Sequence, residues 1–245
     1  MALETNSVEI PVSGGGTMGG YLTRPEGDAT LPGVLVLMEI FGINQHIRAV
    51  TDRIAEAGYV ALAPDYFHRT GPGIQLDYDD AGMAEGMKHL GQLNADSMIS
   101  DAQDAIAFLR SRPGVKGESI GAVGFCIGGH MTYLAACETD ITAAAAYYGG
   151  GIAAPQGPGG GPSTLSRSDK IRGKLICYFG GKDTMIPQDQ VSAVREALGK
   201  TGGDHEVIVY PEADHGFNCN LRESYHEASA EDAWSRTLAL FSENL

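Results

Sequence analysis

Cys126 lies in "GFCIGG", directly after the apolar run 119–125. A buried structural thiol needs no frame of glycines. A nucleophile that must stand out of a tight turn does, because its backbone is strained and neighbouring chains crowd it. The stretch "SIGAVGFCIGGHMTYLAA" reads as strand, sharp turn and helix, with small residues two positions either side of the cysteine. Such a turn puts the sulfur at a helix N-terminus, whose partial positive charge favours thiolate. Asp183 follows the strand-like run 174–179 in "GGKDTMIP", and His215 follows the run 205–210 in "PEADHGF". Both fall beyond the carboxyl end of a strand, where ligands collect in a parallel sheet. In these positions His215 would take the thiol proton and later activate water. Asp183 would hold the imidazole tautomer and stabilise its charged form. Asp214 is a rival for the acid, but it adjoins His215 and is poorly placed to orient that ring. His68 and His130 also lie near strand ends, as bystanders.

Acyl transfer needs two donors for the oxyanion. The Ile127 N–H follows the nucleophile, and the second donor is expected from the loop after the run 33–38, at Ile40. That loop, "MEIFGIN", also carries Glu39. A carboxylate is unnecessary where only an N–H is wanted. Its expected role is to hydrogen-bond the resting thiol or to meet the substrate, restraining the nucleophile until substrate arrives.

A sheet must bring these distant residues together. The runs 33–38, 59–64, 119–125, 142–148, 174–179 and 205–210 read as strands, and 6–12 and 19–24 as two more around "SGGGTMGG". Residues 46–57, 98–111, 128–137, 187–199 and 225–242 read as helices. Residues 66–97 read as a loop and then a weak helix interrupted by Gly86 and Gly91. "GGGIAAPQGPGGGPS", 149–163, is too rich in glycine and proline for a helix or central strand, and reads as a surface loop. The alternation predicts one α/β domain over 1–245, with a mostly parallel central sheet and helices on both faces.

The 245 residues suffice for one sizeable core, and 43% hydrophobic with 20% charged residues fits a folded chain. A net charge of -14 argues against nucleic acid, which needs a basic footprint. No apolar run reaches the ~20 residues that span a bilayer. The opening residues show no secretory pattern, so a soluble, cytoplasmic chain is expected. The four cysteines, Cys126, Cys137, Cys177 and Cys219, form no Cys-x-x-Cys pair, and no His-x-x-x-His accompanies them. Neither a metal site nor a disulfide framework is expected. Cys137 and Cys177 read as small buried hydrophobes.

Taken together and in order, "MEIFGIN", "ALAPDYF", "GFCIGG", "AYYGGG", "GGKDTMIP" and "PEADHGF" closely resemble the dienelactone hydrolase family, the carboxymethylenebutenolidases, from about residue 30 to 242. The resemblance implies an α/β-hydrolase fold with little or no cap and no metal or organic cofactor. It implies hydrolysis of a cyclic enol-lactone through an acyl-thioester, with a small-molecule ester or lactone as partner. By match, Cys126, Asp183 and His215 are the triad, Glu39 pairs with the resting cysteine, and Phe41 and Tyr147 line the pocket. The family's best-known members grip a substrate carboxylate with two arginines. This chain has none in "AGMAEGMKHLG", and the nearest after His215 is Arg222. Lys88, Arg69 or Arg222 is the expected substitute; otherwise the substrate is a neutral lactone or ester. The expected state is a monomer or weak homo-oligomer. Three other functions compete: a broad carboxylesterase of neutral esters, a redox-sensing thiol protein pairing Cys126 with Cys219, and an inert scaffold. An intact triad argues against the last.

Overall fold

The computed structural model describes residues 2–245. The chain opens with an antiparallel hairpin of β1 (Leu3–Pro11) and β2 (Thr17–Pro25) around the glycine turn. β2 pairs antiparallel with β4 (Val60–Pro64). From β4 onward every pairing is parallel, through β3 (Leu31–Leu37), β5 (Val115–Phe125), β6 (Ala143–Tyr147), β7 (Lys174–Gly180) and β8 (Glu206–Tyr210). The spatial order is β1-β2-β4-β3-β5-β6-β7-β8. This is the mostly parallel sheet that the alternation predicts.

The central strands are apolar because both faces are covered. β3 is buried from Gly33 to Leu37, and β4 and β6 along their whole length. β6 is "AAAAY", and alanine is a weak strand former. Its position between β5 and β7 explains it, since small side chains let helices lie close on the strand. One face carries α1 (Gln45–Glu56) and α6 (Glu227–Asn244), which meet where the Arg53 guanidinium lies 3.9 Å over the Trp234 ring. The other carries α3 (Ala95–Arg110), α4 (Ile127–Glu138) and α5 (Gln188–Lys200). The ends of these helices are prepared locally. Asn44 caps α1 by accepting from the Ile47 N–H at 3.2 Å, and Asn94 and Ser97 form a capping box at α3. α4 is buried from Gly128 to Cys137, and its sequence is correspondingly apolar on all sides.

One segment differs from the sequence reading, and the glycine-rich stretch 149–163 is the expected loop apart from a short 3-10 turn at Pro158–Gly160. α2 (Asp80–Leu90) is a continuous helix, capped by Asp79 accepting from the Gly82 N–H at 2.7 Å. Gly86 does not interrupt it. A Cβ there would lie 2.3 Å from Ile40 Cγ1 and 2.5 Å from the Ile40 carbonyl oxygen, so the glycine lets α2 press onto the loop after β3. The glycine-rich stretch after β6 leads into a short 3-10 turn, Thr164–Lys170, which is anchored to α4. His130 Nε2 pairs with Thr164 Oγ1 at 2.7 Å and the Tyr133 hydroxyl with Ser168 Oγ at 2.6 Å. His130, with its Nδ1 on the Gly150 carbonyl at 2.8 Å, is therefore a structural residue.

Two glycine replacements separate these effects. Gly199→Ala in α5 meets nothing within 4 Å and is expected to stabilise the protein by up to about 1 kcal/mol through helix propensity. Gly86→Ala is expected to destabilise it by about 1–3 kcal/mol despite the same propensity gain. Urea unfolding of both variants checks the contrast.

Candidate active site

β5 delivers Cys126 to a turn that few residues tolerate. Its φ is 57° and ψ -120°, a region that ordinary side chains seldom occupy. The surroundings hold it there. The Cys126 N–H donates to the Tyr147 carbonyl at 3.1 Å, and the Cys126 carbonyl accepts from the His130 N–H at 3.1 Å. A Cβ on Gly124 would lie 2.1 Å from the Gly128 carbonyl oxygen, and one on Gly128 would lie 2.1 Å from that of Leu37. The two glycines let the first turn of α4 settle against the ends of β5 and β3. Cys126 is left half-buried. Ile127, at the first position of α4, has an N–H without a partner inside the helix. The Ile40 N–H, in the loop after β3, makes no main-chain hydrogen bond among the described residues.

Asp183 and His215 arrive from the ends of β7 and β8 and are both buried. Asp183 Oδ1 accepts from the Met185 and Ile186 N–H groups at 2.8 and 3.2 Å. Its Oδ2 accepts from His215 Nδ1 at 2.8 Å. The carboxylate is thus aimed by the main chain and the imidazole by the carboxylate. Asp214, the rival acid, accepts instead from the His215 main-chain N–H at 2.6 Å. Burial alone would lower the His215 pKa. The hydrogen bond to Asp183 and negative charge on the nearby Cys126 sulfur outweigh it and push the value up to about 10. His215 Nε2 is buried and satisfies no standard hydrogen-bond geometry with another side chain.

Glu39 is fully buried. Its Oε2 accepts from the Tyr78 hydroxyl at 2.6 Å, and its Oε1 lies 3.8 Å from the Arg222 guanidinium. No hydrogen bond links it to Cys126 among the described residues, so its partners here are Tyr78 and Arg222. Arg222 lies 5.9 Å from the Phe41 ring centre and 5.4 Å from that of Tyr78, and the two rings meet edge-on at 4.6 Å. Arg222 is therefore the one of the three candidate cations that reaches this group. Arg69 is held by Asp101 through two contacts of 2.6 and 2.8 Å, and His68 lies on the same carboxylate at 3.3 Å. Lys88 is exposed on α2 and pairs with Glu85 at 2.6 Å. Neither pairs with Glu39.

Tyr147 also departs from the sequence reading. It is fully buried, with its hydroxyl 2.8 Å from Thr237 Oγ1 of α6, and so packs into the core under that helix. Tyr148 is the tyrosine beside the catalytic candidates. Its φ is 38°, and its ring centre lies 5.1 Å from that of His215 and 5.2 Å from that of Phe217. Its hydroxyl is buried without a partner. Adjacent residues at a strand end face opposite ways, and "YY" carries no sign of which faces the site. Tyr78 was also missed, because it lies in an irregular stretch with no periodicity to place it. Concavity alone would have misled as well. The cavities of about 400 Å³ beside β1–β2 and about 600 Å³ beside α3 contain none of Cys126, Asp183, His215 or Glu39.

Residues 18–245 match the model of the dienelactone hydrolase family. A Synechocystis protein named "Putative carboxymethylenebutenolidase" is 40% identical over 227 residues, covering 92% of each chain. An Escherichia coli protein of the same name is 36% identical over 98% of this chain and 87% of its own. Among solved structures, a "Putative Dienelactone Hydrolase" from Klebsiella pneumoniae superposes with a TM-score of 0.89 at 33% identity, covering 99% of this chain and 100% of that one. The sheet described above is that of an α/β-hydrolase. No helix of the described residues is long and apolar enough to cross a membrane.

The raised pKa of His215 has a consequence for stability. The folded chain holds this proton more tightly than the unfolded one, so the stabilisation is complete below about pH 6.5 and is lost as pH rises toward 10. Unfolding free energies of wild type and His215→Gln are therefore expected to converge between about pH 7 and pH 10. A difference that does not change with pH would mean that His215 is not held charged.

Proposed function

The chain belongs to the dienelactone hydrolase family, and on that premise we propose that it cleaves lactone or ester bonds with Cys126 as nucleophile, through an acyl-thioester. The observation that carries this reading is the Asp183–His215 hydrogen bond of 2.8 Å, beside a thiol raised on a strained turn. In this reading the whole chain works as one catalytic domain.

The chemistry follows from the groups at hand. The Cys126 proton rests on His215 Nε2, where the raised pKa keeps it, so the sulfur attacks as a thiolate paired with an imidazolium that Asp183 stabilises. The sulfur attacks the carbonyl carbon, and the carbonyl electrons move onto oxygen, which the Ile127 and Ile40 N–H groups stabilise. Collapse breaks the carbon–oxygen bond, and the imidazolium protonates the departing oxygen. In a lactone that oxygen stays attached to the acyl chain, so this step opens the ring. Water then gives a proton to His215 and attacks the thioester carbon, and the sulfur leaves as the acid forms.

Phe41, Tyr78 and Tyr148 are proposed as pocket walls, with Arg222 as the cation for a substrate carboxylate. The 3.8 Å contact supports this, because a carboxylate on the substrate can compete for a guanidinium that Glu39 holds only loosely. That Arg222 is the one candidate cation beside Glu39, where the family's best-known members use two arginines, favours a second reading in which neutral esters are also accepted.

Steady-state hydrolysis of a dienelactone and of a neutral aryl ester tests these assignments. Cys126→Ala is expected to abolish turnover of both, and Asp183→Asn to lower kcat by about 10³–10⁴-fold. Arg222→Met is expected to raise KM for the carboxylate-bearing lactone by about tenfold or more relative to the neutral ester. Wild-type turnover by Cys126→Ala would end the thioester reading.

A further inference from the structure

Glu39, His46 and Cys219 come from three elements: the loop after β3, the first turn of α1 and the loop after β8. Each offers one ligand atom, and the three atoms lie within 4.8 Å of one another. All three residues are buried, at 0%, 4% and 0% exposure. Two of their polar atoms, Glu39 Oε1 and His46 Nε2, have no hydrogen-bond partner. Buried polar atoms are nearly always satisfied, so an unpartnered carboxylate oxygen beside an unpartnered imidazole nitrogen is a donor set suited to a ligand.

We propose that these three side chains form a binding site for a divalent transition metal of the zinc class, and that the bound metal inhibits the enzyme by driving the Arg222 guanidinium away from Glu39 and out of the substrate pocket. The inhibition rests on the catalytic reading above; the binding does not.

Sulfur, nitrogen and carboxylate oxygen are the donors zinc prefers, and three protein ligands leave a fourth position open to water. Around a tetrahedral ion such donors lie about 3.3–3.8 Å apart, so closing the site takes side-chain movements of about 1 Å. The charges suit a buried position. A divalent ion is neutralised by one thiolate and one carboxylate, and the thiol proton leaves to solvent on binding. Arg222, at 3.8 Å and partly exposed, can swing away as the metal replaces it. Tyr78 keeps its 2.6 Å hydrogen bond to the other Glu39 oxygen and orients the carboxylate, as outer partners of metal ligands do. A cavity of about 100 Å³ reaches one of the ligands, His46, and is also lined by Arg53, Asn218, Asn220, Tyr225 and Glu231. Both polar atoms of the Asn218 side chain are also buried without partners. The cysteine and histidine spacing concealed the site, because its ligands are brought together only by folding.

Cobalt(II) titration of the full chain tests the proposal, since a cobalt–thiolate bond gives a charge-transfer band in the near ultraviolet. The parent for the titration is Cys126→Ser, which removes the other thiol beside a histidine and makes the readout independent of turnover. This protein is expected to bind cobalt with the thiolate band. Adding Cys219→Ser should abolish the band, and adding His46→Gln should weaken binding by about tenfold or more. Thermal unfolding without metal checks that each variant is folded, and His46→Gln stands in if Cys219→Ser is not. In the otherwise wild-type enzyme, Cys219→Ser should reduce inhibition by zinc at least tenfold. A band missing from Cys126→Ser, or surviving with Cys219 removed, would overturn the site. Loss of turnover by Cys126→Ala alongside no cobalt band would retain the hydrolase and reject the metal.

Discussion

The crowding where β5 turns into α4 governs the geometry of the site. Two close approaches define it, Gly124 to the Gly128 carbonyl and Gly128 to that of Leu37, each leaving no room for a Cβ. Between them Cys126 is held at a positive φ. A non-glycine residue in such a conformation costs on the order of 1–3 kcal/mol, and it persists because the surrounding packing over-determines it. The same contact puts the end of β3 beside the start of α4. That is why the N–H groups of Ile40 and Ile127, far apart in the chain, are available to one oxygen in the proposed mechanism.

A second layer of constraint comes from burying charge. Glu39 is fully buried and sits with Tyr78, Arg222, His46 and Cys219 in one polar group under the aromatic rings. A buried carboxylate is tolerated only where hydrogen bonds and an opposite charge offset its lost hydration. Here the Tyr78 hydrogen bond is short and the Arg222 contact long, so one oxygen is well held and the other is not. That imbalance makes Glu39 available to other partners. Asp183 is the contrast. Both its oxygens are occupied, by two main-chain N–H groups and the His215 ring, and it has only one thing to do.

The strand–helix alternation was legible because burial on both faces forces continuous apolar runs, and β3, β4 and β7 carry them plainly. α2 was obscured by Gly86, which serves contact with Ile40, a need no local pattern reveals. Cys126, Asp183 and His215 stood out because each follows a strand end. Arg69 and Lys88 could not be separated from Arg222 by sequence, since a cation's partner depends on which acid folding puts beside it. For Arg69 that acid is Asp101 and for Lys88 it is Glu85.

The order of residues along the chain thus decided the sheet, the elbow and the identity of the three side chains at the strand ends, because apolar periodicity and glycine crowding are local physics. Tertiary structure decided which tyrosine faces His215, which cation meets Glu39, and that Glu39, His46 and Cys219 share one buried spot. Those outcomes depend on distances between segments remote in sequence, and such distances exist only once the sheet has closed around them.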